Sequence, residues 1–167
     1  MPAIHNLANA YALGQGVAQS DARAAHFYET AAQCGDPAAK FTLGTWLYKG
    51  KGMPEDKKRS FQLQLEAAQA GHAVAMFNTG SAYLEGLVVD TNYKEASEWF
   101  EKSAQIGFPE AAINLGMLYR RGTGEGPTAV PKDLHKALEV FKKFAQLPLF
   151  AELIQDVEEE IRSSKSS

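Results

Sequence analysis

The chain has 167 residues, enough for one sizeable core, and its 45% hydrophobic and 22% charged fractions are ordinary for a soluble globular protein. A formal net charge of −3 gives no overall drive toward nucleic acid or an anionic membrane, and the single cysteine, Cys34, excludes an intrachain disulfide and a multi-thiolate metal site. No run approaches the roughly 20 apolar residues of a membrane span. No charged-then-apolar leader opens the chain and no Asn-x-Ser/Thr sequon occurs in it, which suits an intracellular, reducing, cytoplasmic setting. A leader removed beforehand leaves organellar or secreted locations open.

Taken in chain order, the elements repeat. A first helix over about 3–13 carries Leu7, Ala8 and Tyr11 at helical steps, and Gly14 follows it. A second helix over about 21–34 starts behind Ser20, carries Ala24 and Ala31-Ala32, and ends at Gly35. The next pair, about 38–49 and 57–70, shows Leu43, Gly44, Leu47, Gly50, Asp56, Ser60, Ala67-Ala68 and Gly71 in the same slots. The third pair, about 74–85 and 93–106, has Thr79, Gly80, Tyr83, Gly86, Asn92, Ala96, Ser103-Ala104 and Gly107. The fourth, about 110–121 and 134–146, has Leu115, Gly116, Tyr119, Gly122, Asp133, Ala137, Phe144-Ala145 and Pro148. Gly14, Gly50, Gly86 and Gly122 stand 36 residues apart; the last unit carries five extra residues within 124–131, since Ala96 to Ala137 is 41.

Each unit therefore reads as two antiparallel helices. A glycine after the first helix suits the left-handed position that ends a helix. Ser20, Asp56, Asn92 and Asp133 are good N-caps, each worth ~1 kcal/mol. Small residues let helices approach while Tyr and Leu fill the gap between hairpins, and one hairpin cannot bury both faces alone. The expected domain is a single solenoid over 1–162, with units 2–37, 38–73, 74–109 and 110–147. A ninth helix over 149–162 places Phe150, Leu153, Val157 and Ile161 on one stripe and Glu152, Asp156 and Glu158–Glu160 elsewhere, the pattern of a terminal cap. Residues 163–167 lack apolar side chains and are expected to be disordered.

These residues resemble the Sel-1-like repeat family, relatives of tetratricopeptide repeats with a slightly longer unit. The match is closest at Leu115-Gly116 with Tyr119, Gly122-Thr123-Gly124, Val130-Pro131-Lys132-Asp133 and Lys136-Ala137, and at Glu95-Ala96 with Trp99-Phe100. It covers about residues 3–147. Thr79, Val88, Gln64 and Phe144 depart from the pattern. The resemblance implies an all-α, right-handed α-α superhelical solenoid of four helix-turn-helix repeats plus the C-terminal capping helix. It also implies a non-catalytic adaptor that binds a protein or peptide. By the same resemblance the first helices line a concave face. The slots that line it hold His5, Asn9, Ala12 and Leu13, then Phe41, Thr45, Tyr48 and Lys49. They continue with Phe77, Ser81, Leu84 and Glu85, and end with Ile113, Met117, Arg120 and Arg121. An apolar, aromatic middle with a doubly basic far end suits a ligand segment carrying apolar anchors and an acidic group.

Catalytic readings find little support. His5, His26, His72 and His135 fall on different elements, so no metal site is expected and no cofactor is implied. Cys34 aligns with Ala70 and Ile106 and is expected to be a buried packing residue. The glycine-rich turns follow helices rather than strands, unlike a phosphate loop. The alternatives to a scaffold are an assembly subunit held permanently in a larger complex and an enzyme lacking any nucleophile–base pair that the pattern brings together. No capping helix precedes the first hairpin. That end is expected to be a cut at a repeat boundary or a face that docks on another chain. Neither nucleic acid nor direct membrane insertion is expected. The inserted loop is expected to project from the core, so that shortening it leaves stability nearly unchanged.

Overall fold

A computed structural model of the chain describes residues 2–165. Among the described residues there are nine helices and no strand: α1 (Pro2–Leu13), α2 (Asp21–Gln33), α3 (Pro37–Lys49), α4 (Lys57–Gln69), α5 (Ala73–Glu85), α6 (Tyr93–Gln105), α7 (Pro109–Arg121), α8 (Leu134–Lys142) and α9 (Pro148–Ser164). The chain divides into two compact units, Met1–Thr79 and Gly80–Ser167.

Within each unit the hairpins close by one rule. The cap side chain of Ser20, Asp56, Asn92 or Asp133 accepts from the backbone N–H three residues on, at 3.3, 2.9, 3.0 and 2.9 Å. The same residue's own N–H donates back to the carbonyl of Tyr11, Leu47, Tyr83 or Tyr119, at 2.9, 3.0, 2.9 and 2.7 Å. One residue thus satisfies an orphan donor of the second helix and an end carbonyl of the first. The closure spans nine residues in the first hairpin (Tyr11 to Ser20) and fourteen in the fourth (Tyr119 to Asp133), so the insertion leaves it intact.

The insertion is nonetheless anchored. Thr123 and Val130 pair through backbone and side chain, Val130 is buried, and Thr128 carbonyl accepts from Lys94 N–H at 2.9 Å in the first turn of α6. Shortening this loop removes a partner from a helix N-terminus, which the sequence expectation of a free projection did not include.

The small slot explains the repeat spacing. In the first unit Ala8 is buried, and a Cβ at Gly44 would lie 2.9 Å from Gln64 Cγ and 3.1 Å from Ser60 carbonyl. In the second unit a Cβ at Gly80 would meet Phe100 Cε1 at 2.8 Å, and one at Gly116 would meet Phe141 Cε1 at 2.1 Å. Two buried hydroxyls in the core slots of the first unit are satisfied locally: Ser60 hydroxyl donates to Gly44 carbonyl at 2.6 Å, and Thr79 hydroxyl, in the slot that departs from leucine, to Ala75 carbonyl at 2.8 Å.

The two cores differ in texture. That of the first unit is built on alanines around Tyr28, Leu43, Trp46 and Leu47. That of the second includes Phe141, Phe144, Phe150 and Val157, with Leu153 and Ile161 of α9 packed against them, as the stripe predicts. Three expectations need correction. The helix α8 ends at Lys142, not 146. Bonds from Phe144 N–H to Phe141 carbonyl and from Ala145 N–H to Lys142 carbonyl tighten it into turns that bring Phe144 into a stacked contact with Phe150, ring centroids 5.2 Å apart. The stretch expected to be disordered begins inside α9. Ser163 and Ser164 back-bond to Glu159 and Ile161 carbonyls and continue the helix; Ser166 and Ser167 lie outside the described residues. Cys34 is exposed, because it occupies the C-cap of α2, as Ala70 and Ile106 do on α4 and α6, where the side chain leaves the packed stripe.

Candidate functional site

In the first unit the candidate residues of α1 split into two roles. Asn9 accepts a hydrogen bond from the hydroxyl of buried Tyr28, whose burial raises its pKa above the usual phenol value. Removing Asn9 would orphan that hydroxyl, so Asn9 has a structural duty. His5 sits edge-on to Tyr28 at 5.6 Å, and its Nδ1 lies 3.2 Å from Asp36 Oδ2 without the alignment of a hydrogen bond. Asp36 in turn caps α3 through Ala38 and Ala39 N–H.

On α3 and α5 of the same unit, Phe41 stacks on His72 with ring centroids 4.5 Å apart and 21° between planes. His72 Nδ1 accepts from Ala75 N–H at 3.2 Å, so the ring caps α5 in its neutral form, and burial lowers its pKa below the ordinary histidine value. Thr45 hydroxyl is turned back onto Phe41 carbonyl at 3.0 Å. Phe77 is half-buried. Tyr48 is 44% exposed, with the Lys57 ammonium over its ring at 5.5 Å, and Lys49 beside it is exposed. Among the described residues of this unit, the exposed large apolar side chains are Leu7, Leu13 and Tyr48, all on first helices of hairpins.

In the second unit, α7 positions the remaining candidates. Ile113 and Met117 pack against the Phe141 cluster. Arg120 is held by α9: its Nε donates to Glu160 at 2.6 Å and its Nη1 to Asp156 at 3.3 Å, and Lys132 stands 4.0 Å from Glu160. Its guanidinium is thereby kept charged even more firmly, chiefly by the Glu160 hydrogen bond. Arg121, the next residue, is exposed and forms no ion pair among the described residues.

Arg121 instead lines a pocket of about 500 Å3 together with Leu84, Tyr93, Asn114, Met117, Leu118 and the turn Gly122, Thr123 and Gly124. Of the sequence candidates, Leu84, Met117 and Arg121 meet there; Ser81, Glu85 and Ile113 do not line it. Tyr93, Asn114 and Leu118 were missed. Asn114 had a signal, since Asn6, Thr42 and Asn78 hold the same register slot as polar residues on apolar helices. Tyr93 had none, because it follows a cap and no residue there repeats.

The described residues hold no group of three or more His, Cys, Asp or Glu that could take a metal ion, and no helix is long and apolar enough to cross a membrane. The candidate residues thus comprise exposed aromatic and cationic side chains at the ends of first helices and a pocket with a cationic rim.

The comparisons with known proteins agree with this architecture. A family model described as Sel1 repeat matches residues 2–36, 37–72, 73–108 and 109–148. A Sel1 repeat protein from Oxalobacter formigenes superposes with a TM-score of 0.79 at 28% identity, over 87% of this chain and 58% of that one. The protein c5321, a protective antigen of uropathogenic Escherichia coli strains with an SLR fold, gives 0.78 at 32% identity, over 87% of this chain and 30% of that one. The Helicobacter pylori cysteine rich protein B gives 0.58 at 20% identity, over 68% and 92%, a likeness of fold alone. This chain thus spans little more than half the length of the first of these and under a third of the second. No curated protein matches it.

Proposed function

The chain belongs to the Sel1 repeat family, whose members are generally protein-interaction scaffolds and typically non-catalytic, and from that premise we propose that it binds a partner protein through the first helices of its hairpins. The observation that carries this reading is the placement of exposed large apolar side chains in the first unit. Leu7, Leu13 and Tyr48 all lie on α1 and α3, while α2 and α4 carry none among the described residues. A singly exposed apolar side chain is ordinary; what distinguishes these is their bias toward first helices, and aromatic residues in particular become anchors when a partner desolvates them. Tyr48, with Lys49 beside it and Phe41 earlier on the same helix, forms the contact surface of this unit. Leu84, Met117 and Arg121 form that of the second unit.

Site-specific photo-crosslinking tests the reading. With benzoylphenylalanine at Tyr48, a defined covalent adduct to a protein of the source cell is expected. The same group at Lys58, exposed on the second helix α4, is expected to give none. Equal labelling from both positions would contradict a surface confined to the first helices.

A further inference from the structure

The pocket of the second unit has a chemistry of its own. Its floor is apolar, from Leu84, Met117 and Leu118, and Tyr93 adds an aromatic wall. Besides Thr123, whose hydroxyl is engaged by Val130 N–H, α7 contributes two polar side chains to its lining, Arg121 and Asn114, on one stripe two helical turns apart. No acidic side chain lines it, in contrast to the cleft around Arg120, where Asp156, Glu159 and Glu160 are close at hand. The two neighbouring arginines therefore differ: Arg120 has its carboxylates supplied by α9, and Arg121 offers its guanidinium fork to solvent beside an apolar cavity.

The wall beside Gly124 is also built rather than slack. It begins the insertion peculiar to the fourth repeat, which is tied to Val130 at its base and to Lys94 next to Tyr93. The pocket thus has fixed sides, and what it lacks is a negative charge.

We propose that this pocket takes a large apolar side chain adjoining an aspartate or glutamate on an extended partner segment. The apolar group fills the space over Met117, and the carboxylate pairs with Arg121 at the cationic rim. A guanidinium fork matches a carboxylate in shape as well as charge, and its desolvation beside an apolar floor strengthens the pair. This deepens the reading of the chain as a partner-binding scaffold and rests on it.

The experiment is a nuclear magnetic resonance titration of the full chain with three short peptides: acetyl-Ala-Ala-Leu-Asp-Ala-Ala-amide, the same peptide with Asn for Asp, and acetyl-Ala-Ala-Leu with a free C-terminus. The Asp peptide is expected to shift Leu84, Met117 and Arg121 saturably and to bind about fivefold tighter than the Asn peptide, the gain of one partly exposed ion pair. Arg121→Gln is expected to abolish that difference while leaving the rest of the spectrum in place, and Arg121→Lys to retain part of it. Equal affinities for the Asp and Asn peptides, no saturable shift at these residues, or an unchanged difference in Arg121→Gln would overturn the proposal. Preference for the free C-terminus over the internal Asp would overturn the assignment to a side-chain carboxylate. None of these outcomes touches the crosslinking at Tyr48, which lies in the other unit, so failure of the pocket and failure of the scaffold reading are separable.

Discussion

Tyr48 and Lys49 end α3 in the first unit, and Arg120 and Arg121 end α7 in the second, in the same two slots of the repeat. In the first unit both side chains stand exposed, with the Lys57 ammonium over the Tyr48 ring. In the second unit the first slot is tied to the terminal helix through Asp156 and Glu160, and only the second slot remains open, over the pocket. The repeat template thus sets where a side chain emerges, and the neighbouring element decides whether it becomes surface or structure. A terminal cap consumes the surface slot nearest to it. The two cores follow the same division: the alanine-rich one leaves Leu7, Leu13 and Tyr48 of its first helices exposed, and α9 packs on the phenylalanine-rich one.

The largest effect that distinguishes the units is expected in the small slot. Gly116→Ala drives a Cβ to 2.1 Å from the fully buried ring of Phe141, which has nowhere to go, whereas Gly44→Ala meets the Cγ of half-buried Gln64. Overpacking costs about 1–3 kcal/mol and alanine in a helix returns up to ~1. Denaturant unfolding should therefore show Gly116→Ala losing about 2 kcal/mol and Gly44→Ala less than about 1 kcal/mol. Equal losses would mean that the two units pack their hairpins alike.

The arginines come next. Arg120→Ala breaks a two-carboxylate contact with α9 and is expected to cost about 1–2 kcal/mol, partly recovered at high salt, while Arg121→Ala should fall within about 0.5 kcal/mol. Thermal melts of both variants at low and high salt check this; similar losses would erase the distinction between a structural and a surface slot.

The smallest effect lies in the first unit. His72 caps α5 with an unprotonated Nδ1 and its pKa is lowered in the fold by burial, so the folded state binds its proton more weakly than the unfolded chain. Its contribution is present above the unfolded value near 6.5 and is lost as pH falls through the lower folded value. Because the ring is only partly buried, the loss should be on the order of 0.5 kcal/mol. His72→Asn keeps a cap that does not titrate, and stability of this variant should fall less than wild type between pH 7.5 and pH 5. An identical fall in both would remove His72 from the account.

The hairpins were legible because their determinants are local. Ser20, Asp56, Asn92 and Asp133 fix helix starts through bonds three residues away, and the glycine slots at Gly44, Gly80 and Gly116 answer to the helix paired with each. The fate of Arg120 was not legible. Its partners lie 36 and 40 residues on, and which face α9 turns toward α7 depends on how Phe150 and Val157 seat in the core. Cys34 was misread for a related reason. Register alone aligned it with Ala70 and Ile106, but the slot is a helix C-cap, and a position can repeat faithfully without being buried. The pocket combined both cases: Leu84, Met117 and Arg121 followed from register, while Tyr93 and the inserted wall depend on where the loop is anchored.

The central claim is that open first-helix slots, rather than the repeats in general, carry binding. It is tested most directly by the affinity of a partner recovered through the Tyr48 crosslink, measured by calorimetry against wild type, Tyr48→Ala and Lys58→Ala at matched stability. The account predicts a loss of about 1–3 kcal/mol for Tyr48→Ala, as for an anchoring aromatic, and no change for Lys58→Ala. Unchanged affinity in Tyr48→Ala, or an equal loss in Lys58→Ala, would contradict it.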